Sequence, residues 1–211
     1  FEIVYGFLKS INIGEAKIRH VPVYIRKFHD EGARIDGYIG LSLISKFLTT
    51  VDYGNLTFTL TKKNQLAQQK FESEALALPL RLTSSGFLSG EVQIEGIETP
   101  LNFIVDTGAS VSVISDLLAN TDEINRFMTS VKMRVIGAAG ITENVDSFLL
   151  PRISFGKHSR ERIKAVALNL DIINEASGFQ QAGILGGNFL KNYRLTFDFQ
   201  NSKVTFVPVV K

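Results

Sequence analysis

The stretch Phe103-Ile104-Val105-Asp106-Thr107-Gly108-Ala109-Ser110 decides how this sequence is interpreted. An aspartate directly after a continuous apolar strand is unexpected, because burying a carboxylate is costly unless it is paired or hydrogen-bonded. Thr107 and Gly108 supply a hydroxyl and a flexible backbone whose N–H groups can hold that carboxylate. Residues 111–114 return to an apolar pattern, so Asp106 is predicted at the turn between two strands. A plain hairpin turn is the alternative, since Asp and Gly are common in turns. The apolar strands on both sides favour a functional loop.

The composition bounds the class of protein. The chain has 211 residues, 45% of them hydrophobic and 21% charged, which excludes a disordered chain, a collagen and a coiled coil. It has no cysteine, which excludes a disulfide scaffold, a thiolate zinc site and a cysteine nucleophile. A net charge of +2 from mixed charges gives no support to a nucleic-acid partner. No apolar run approaches the roughly 18 residues that a membrane span needs.

The chain also repeats itself, and the repeat predicts its organisation. Residues 37–53, GYIGLSLISKFLTTVDY, align without a gap with residues 183–199, GILGGNFLKNYRLTFDF. Residues 11–14 align with residues 153–156, with a connection that is four residues longer in the second copy. Convergent strand–turn–strand patterning is the alternative, but the shared order of elements favours duplication. We therefore expect the C-terminal part of a first copy over residues 1–61, a linker over 62–77 and a complete domain over 78–211.

Hydrophobic alternation predicts a mostly β protein. The predicted strands cover residues 11–13, 21–25, 56–60, 78–82, 91–94, 101–105, 132–136, 164–168 and 195–199. Ser115 is predicted to cap one helix that continues to about Met128. Many short strands with few helices are typical of an all-β barrel or sandwich.

On these residues the chain resembles the aspartic peptidases of the small retroviral type, called retropepsin-like. The stretch Asp106-Thr107-Gly108-Ala109-Ser110 resembles the active-site loop of that family. Ile184-Leu185-Gly186 resembles the apolar-apolar-Gly element that such domains place beneath this loop. Gly137-Ala138-Ala139-Gly140 lies between two predicted strands, where the family carries a substrate-covering flap. The overall arrangement resembles bacterial proteins with two tandem domains of this type.

The resemblance implies a closed, retropepsin-like β-barrel and an aspartic endopeptidase that needs no cofactor and no metal. It implies a peptide or protein as substrate, while the net charge and the short apolar runs predict no nucleic-acid partner and no membrane span in this chain. It also assigns roles to residues: catalysis to Asp106, Thr107 and Gly108, substrate binding to Ala109, Gly137, Ala138, Ala139 and Gly140, and support beneath the loop to Ile184, Leu185 and Gly186.

The sequence departs from a complete enzyme in one respect. Two neighbouring carboxylates must share a proton in this chemistry, and the chain contains a single Asp-Thr-Gly. The matching loop of the first copy would lie upstream of Phe1. Three arrangements stay open: an upstream half in the parent protein, a homodimer that pairs two Asp106 loops, and an incomplete site. The last would make the chain a peptide-binding or assembly module with the same fold.

We expect a periplasmic or cell-envelope location, with the cytoplasm as the alternative.

The remaining motifs point to structural roles. His20, His29 and His158 have no partner at metal-ligand spacing, and we expect them to be exposed in strands or loops. Residues 183–187 are glycine-rich, but they lack the residues of a phosphate-binding loop.

Overall fold

A computed structural model of the protein describes residues 4–25, 36–62, 76–83, 86–137 and 140–209. Most of its elements are strands, and none of the helices in these ranges is long and apolar enough to cross a membrane. In chain order the elements are β1 (Val4–Ile13), β2 (Ala16–Ile25), α1 (Leu41–Ile44), β3 (Leu48–Asp52), β4 (Thr57–Thr61), β5 (Leu76–Pro79), β6 (Arg81–Leu82), β7 (Leu88–Ile94), β8 (Leu101–Val105), β9 (Ser112–Ser115), α2 (Asp116–Ala119), α3 (Asp122–Asn125), β10 (Met128–Gly137), β11 (Gly140–Phe155), β12 (His158–Leu168), α4 (Asp171–Ser177), β13 (Gly183–Leu185), α5 (Gly187–Leu190), β14 (Tyr193–Asp198) and β15 (Lys203–Pro208).

The strands form three sheets. The β1–β2 hairpin is a sheet of two strands, and β4-β3-β14-β15-β5 is a sheet of five. The largest sheet has the order β10-β11-β12-β9-β13-β8-β7-β6, and β7 also pairs with β11. The pairings therefore run in a circuit through β11, β12, β9, β13, β8 and β7. The predicted all-β class is confirmed, and the closed barrel stays a prediction that this circuit supports.

The main core lies between the circuit and the five-stranded sheet. Along β14, Tyr193, Leu195 and Phe197 are buried and alternate with half-buried residues, because successive side chains of a strand point to opposite faces. They pack with residues of β7, β8 and β13, including Ile94, Phe103 and Leu185. Each such side chain contributes about 1.5–3 kcal/mol through burial. This core holds in place the two strands, β8 and β13, that meet at Asp106.

The five-stranded sheet joins the two repeat copies. Strand β3, from the first copy, pairs antiparallel with β14 from the second, and Thr50 lies directly opposite Thr196. Their hydroxyl oxygens are 3.0 Å apart, and the two residues are 146 positions apart, which is the repeat offset. A residue that faces its own repeat counterpart marks a local two-fold axis. The copies therefore meet around a pseudo-two-fold axis between Thr50 and Thr196.

The two copies also share unusual backbone geometry. Helices α1 and α5 both follow an extended glycine, Gly40 or Gly186. Positive φ angles recur at equivalent positions, in the pairs Gly14 and Gly156 (54° and 57°), His20 and Arg162 (both 52°), and Leu56 and Ser202 (54° and 51°). The sequence repeat thus has a counterpart in the backbone. The boundaries of the copies stay a prediction: residues 63–75 lie outside the described residues, and β5 begins at Leu76, inside the predicted linker.

The single helix predicted from Ser115 to about Met128 is wrong. Ser115 does cap a helix, because its Oγ accepts from the Leu118 N–H at 3.1 Å. That helix, α2, ends after one turn, and Thr121 is extended before α3 begins. Asn and Thr favour such breaks, since their side chains compete for local backbone hydrogen bonds. The Thr121 hydroxyl donates to the Leu118 carbonyl at 2.9 Å.

The expectation that the histidines are exposed is wrong for His158. Its side chain is 6% exposed and packs between two rings, with centroids 4.9 Å from Tyr193 and 5.4 Å from Phe206. Its Nε2 has no hydrogen-bond partner. Burial lowers the pKa of His158, and the charges of Lys157 and Arg160 lower it further. His20 is exposed on β2, and His29 lies outside the described residues.

Candidate functional site

Asp106 begins the loop that follows β8. Its N–H donates to the Leu185 carbonyl at 3.1 Å, and its side chain is half-buried. The Gly108 N–H donates to Asp106 Oδ1 at 2.8 Å, so the loop binds its own carboxylate. A Cβ at Gly108 would lie 3.1 Å from the same oxygen, which is tighter than ordinary packing. The predicted hydrogen bond from a backbone N–H to the Asp106 carboxylate is therefore present. The neighbouring Thr107 is exposed.

The loop is not the turn of a plain hairpin, because a third strand separates β8 from β9. Strand β13 pairs in parallel with β8 and antiparallel with β9. Ile184 and Leu185 lie in this strand, and Gly186 follows it. The Gly187 N–H donates to the Ala109 carbonyl at 2.7 Å, which closes the contact between this element and the loop. The structure thus brings Asp106, Gly108 and Ala109 together with the Ile-Leu-Gly element.

Two glycines allow this close passage. A Cβ at Gly186 would lie 2.5 Å from the Val111 carbonyl oxygen and 2.6 Å from its carbon. A Cβ at Gly183 would lie 2.3 Å from the Val113 carbonyl oxygen. Backbone atoms at these distances cannot move aside like the end of a flexible side chain. Glycine is therefore required at both positions for β13 to fit between β8 and β9.

Sequence reasoning missed a polar network behind the loop. The Asn188 Oδ1 accepts from the Ser112 N–H at 3.0 Å and from its hydroxyl at 2.8 Å. The Ser112 Oγ accepts from the Gly186 N–H at 3.2 Å, and Asn188 Nδ2 donates to the Lys164 carbonyl at 2.7 Å. One asparagine therefore connects β9, β12 and the Ile-Leu-Gly element. A serine in an otherwise apolar strand, Val111-Ser112-Val113, was the signal that could have indicated it.

The candidate flap lies at the end of the β10–β11 hairpin. Gly137 pairs with Gly140, whose φ is +126°, and Ala138 and Ala139 lie outside the described residues. A Cβ at Gly137 would have no described atom within 4 Å. The described contacts therefore do not bring Gly137 to the Asp106 loop.

A residue of the first copy lies within electrostatic range of Asp106. Tyr53 follows β3, and it is half-buried against the main core. Burial raises the pKa of the Tyr53 phenol, and the negative charge of Asp106 raises it further. Tyr53 is therefore close enough to Asp106 for the charge of that carboxylate to affect the ionisation of the phenol. No sequence motif indicated this proximity.

The chain is similar to known proteins in sequence and in fold. Residues 90–189 match the family model described as aspartyl protease. Among solved structures, a retropepsin-like aspartic protease from Rickettsia conorii is 17% identical, with a TM-score of 0.44, and the match covers 66% of this chain and 96% of that one. Conglutin gamma, a basic 7S globulin from lupine seeds, is 11% identical, with a TM-score of 0.52, and the match covers 99% of this chain and 67% of that one. The search of curated proteins found no match.

The family match spans the elements that build the site. It begins in β7, includes β8 with the Asp106 loop, and ends in α5, which follows the Ile-Leu-Gly element. The likeness to conglutin gamma concerns the fold alone, and it extends over both copies. The predicted resemblance to aspartic peptidases is confirmed. The part of the chain that builds the site, residues 90–189, therefore matches the aspartyl protease family model, and the match covers just under half of the 211 residues.

Proposed function

We propose that this protein is an aspartic endopeptidase and that Asp106 is one of its two catalytic carboxylates. The observation that carries the proposal is the Asp106 loop. Its carboxylate accepts from the Gly108 N–H at 2.8 Å, and its backbone is fixed by the Leu185 carbonyl at 3.1 Å. Within the described residues this carboxylate is fixed in position and has no ion pair with a cation, which suits a group that must exchange protons during a reaction.

The chemistry needs one ionised and one protonated carboxyl group. Two neighbouring carboxyls cannot both ionise easily, so they hold one proton between them. The ionised group takes a proton from water as the water oxygen attacks the peptide carbonyl carbon, and the protonated group donates to the carbonyl oxygen. The tetrahedral intermediate then loses its C–N bond as a proton passes to the leaving nitrogen. Thr107 and Gly108 keep Asp106 oriented for both steps.

The second carboxylate comes from a second unit related to this one by two-fold symmetry. The pseudo-two-fold axis between Thr50 and Thr196 supports this proposal, because it already relates the rear elements of the two copies. One source is a counterpart of the Asp106 loop in a first copy that the parent protein completes. A homodimer that pairs two Asp106 loops is the other source. These two sources predict different dependences of activity on protein concentration.

Substrate binding is proposed for the Asp106 loop and for the end of the β10–β11 hairpin. An extended peptide offers main-chain N–H and carbonyl groups that a β-hairpin can pair with. We assign this role to Gly137, Ala138, Ala139, Gly140 and Ala109, as the resemblance to the family implies. Closure of the hairpin would exclude water from the reacting bond.

The cell-envelope location stays a prediction, which cell fractionation would check.

The test is cleavage of a mixed peptide library from acidic to neutral pH, at several protein concentrations. We expect Asp106→Asn to lower cleavage by about 10³-fold or more, in the range typical of a lost general acid or base. Asp122→Asn is the matched control, because Asp122 is exposed in α3 and far along the chain from the loop. Cleavage that Asp106→Asn leaves unchanged would contradict the proposal. A steep rise of specific activity with concentration would identify the homodimer as the source of the second carboxylate.

A second candidate function is a non-catalytic peptide-binding or assembly module. The single Asp-Thr-Gly of the sequence favours it. It predicts that peptides bind and remain intact at every concentration and pH, and that an inhibitor that mimics the tetrahedral intermediate has no cleavage to block.

A further inference from the structure

The Asp106 loop is attached at both of its ends to residues 185–188. At the front end the attachment is a backbone bond, from the Asp106 N–H to the Leu185 carbonyl at 3.1 Å. At the rear end it is made by two side chains, those of Ser112 and Asn188. Backbone bonds form with almost any residue type, whereas a side-chain attachment requires particular residues. The rear end is therefore where residue identity determines how the loop is held.

The rear attachment is a chain of hydrogen bonds with one direction. The Gly186 N–H donates to the Ser112 hydroxyl oxygen at 3.2 Å, and that hydroxyl donates to Asn188 Oδ1 at 2.8 Å. Asn188 Nδ2 donates in turn to the Lys164 carbonyl in β12 at 2.7 Å. Ser112 is fully buried, and its hydroxyl is used both as a donor and as an acceptor. Such bonds strengthen one another, and removing one member leaves buried groups unpaired.

The asparagine is not needed for the helix in which it lies. Helices α1 and α5 occupy equivalent positions in the two copies, and each follows an extended glycine. At the repeat offset of 146 positions, the counterpart of Asn188 is Ser42, which is exposed. Helix α1 therefore forms with a short, exposed residue at this position. The role of Asn188 lies instead in its contacts with Ser112 and Lys164.

We propose that Asn188 is a positioning residue of the candidate active site and acts on the Asp106 loop through Ser112. By joining Ser112 to β12, it fixes the point at which the loop enters β9 and thereby the direction in which the loop presents its carboxylate. Within the described residues, no hydrogen bond joins the side chains of Asn188 and Asp106, so Asn188 acts through position rather than through chemistry. For its effect on catalysis, the inference rests on the proposed function.

The first test is backbone hydrogen exchange of the wild-type protein and of Asn188→Ala. The reporters are the amides of Asp106 and Gly187, which donate to backbone carbonyls across the contact between the loop and residues 185–188. We expect both amides to exchange about 10-fold faster in the variant. Local opening of the wild-type loop must break the bonds of the asparagine, and the variant no longer has these bonds to break.

The matched control is Asn192→Ala. Asn192 is half-buried after the end of α5, where its Nδ2 donates to the Phe189 carbonyl at 3.0 Å and to the Asn188 carbonyl at 3.4 Å. It thus makes two side chain–backbone bonds within its own segment, and none of its described bonds reaches the loop. We expect Asn192→Ala to leave exchange at Asp106 and Gly187 within about 2-fold of the wild-type rate, because opening of the loop does not break these bonds.

Ser112→Ala tests whether the two side chains act as one chain of bonds. The variant removes the hydroxyl between Gly186 and Asn188, and we expect it to speed exchange at the same two reporter amides by about 10-fold. Because both substitutions break the same chain, the double variant should exchange no more than about 3-fold faster than the faster single variant. Independent contributions would multiply to about 100-fold over the wild-type rate and would overturn the proposal.

The second test is peptide cleavage. We expect Asn188→Ala to lower kcat by about 10- to 100-fold and to change KM by less than about 3-fold, because a displaced carboxylate affects the reacting geometry more than the binding of the peptide. A purely structural role would lower cleavage only in proportion to the unfolded fraction, which circular dichroism measures. Asn192→Ala should keep the wild-type kcat within about 2-fold.

Exchange at Asp106 and Gly187 that is unchanged in Asn188→Ala, or that rises equally in Asn192→Ala, would overturn the proposal. So would an unchanged kcat in a variant whose reporter amides exchange faster. A wild-type protein that cleaves no peptide counts against the proposed function, and the exchange rates then decide whether Asn188 holds the loop. If Asn188→Ala does not fold, Asn188→Ser replaces it, since α1 forms with serine at the equivalent position.

Discussion

The predicted first copy (residues 1–61) and the predicted second copy (residues 78–211) contain the same rear elements in different surroundings. Helices α1 and α5 have the same capping geometry, since each follows an extended glycine. Yet a Cβ at Gly40 would meet no described atom within 4 Å, whereas one at Gly186 would meet the Val111 backbone at 2.5 Å. The comparison separates two causes of structure. Local sequence sets the backbone of each unit, and the strands β7–β9 create the tight packing in the second one.

The largest difference between the copies is expected in the free energy of unfolding when each of these two glycines is replaced by alanine. Gly186→Ala should destabilise the protein by about 3 kcal/mol, because the new methyl overlaps backbone atoms that cannot move aside. Gly40→Ala should change the free energy of unfolding by no more than about 0.5 kcal/mol, since its φ of −90° suits any residue. Urea unfolding of the two variants measures both values. Equal effects of the two substitutions would break the comparison.

The next largest difference is expected at the two equivalent aspartate turns. Asp52 is 7% exposed and accepts from the Gly54 N–H, the Asn55 N–H and the Asn55 side chain at 2.9–3.0 Å. Asp198 is half-buried and accepts from the Asn201 N–H at 3.1 Å and the Asn201 side chain at 2.6 Å. Asp52→Ala should cost about 2 kcal/mol and Asp198→Ala about 1 kcal/mol, because hydrogen bonds to a carboxylate weigh more when it is buried.

The pH dependence of Asp52 has a defined sign. The Asn55 N–H holds the pKa of Asp52 below its ordinary value of 3.8, and the Asn55 side chain and Gly54 N–H act in the same direction against burial. The stabilisation is therefore complete above pH 3.8 and is lost as the pH falls through the folded-state pKa. Unfolding at neutral and at acidic pH checks this, since the cost of Asp52→Ala should shrink in acid. A cost that is the same at both pH values would show that the ionised carboxylate is not what holds the turn.

The sequence was sufficient to predict the parts of the site that are local. Asp106-Thr107-Gly108 and Ile184-Leu185-Gly186 are contiguous motifs, and the all-β class follows from short alternating runs. It was insufficient where the outcome depends on distant partners. The insertion of β13 between β8 and β9, the Asn188 network and the burial of His158 each join segments more than twenty residues apart. The break after α2 was missed because the spacing of apolar residues carries no information on side-chain hydrogen bonds. The side chains of Asn120 and Thr121 can compete with the helix for local backbone partners.

A smaller difference between the copies is expected in the pH dependence of stability. His158 of the second copy is titratable, whereas its counterpart in the first copy is Ala16. Burial and the nearby Lys157 and Arg160 lower the pKa of His158 below 6.5, and the faces packed against it are the rings of Tyr193 and Phe206. The folded state therefore favours the neutral imidazole. Stability is full above pH 6.5 and falls as the pH drops toward the folded-state pKa, with a slope of at most about 1.4 kcal/mol per pH unit.

The variant His158→Phe should remove this part of the pH dependence, because a phenyl ring fills the same aromatic site without a titratable group. Thermal or urea unfolding between neutral and mildly acidic pH gives the slope. His20→Gln is the matched control, since His20 is exposed on the first hairpin. A slope that survives in His158→Phe would assign the acid sensitivity to other groups.

The smallest effect is expected at the pseudo-two-fold axis itself, where the copies are most alike. The Thr50 and Thr196 hydroxyl oxygens are 3.0 Å apart on directly opposed residues of β3 and β14. A double-mutant cycle with Thr50→Val, Thr196→Val and both together should give a coupling energy of about 0.5–1 kcal/mol, as for a cross-strand hydroxyl pair. The two single substitutions should cost the same within about 0.3 kcal/mol, because each removes one half of a symmetric contact. Clearly unequal costs would mean that one copy dominates the junction. A coupling near zero would mean that the hydroxyls do not stabilise the junction and that strand pairing and burial alone hold the copies together.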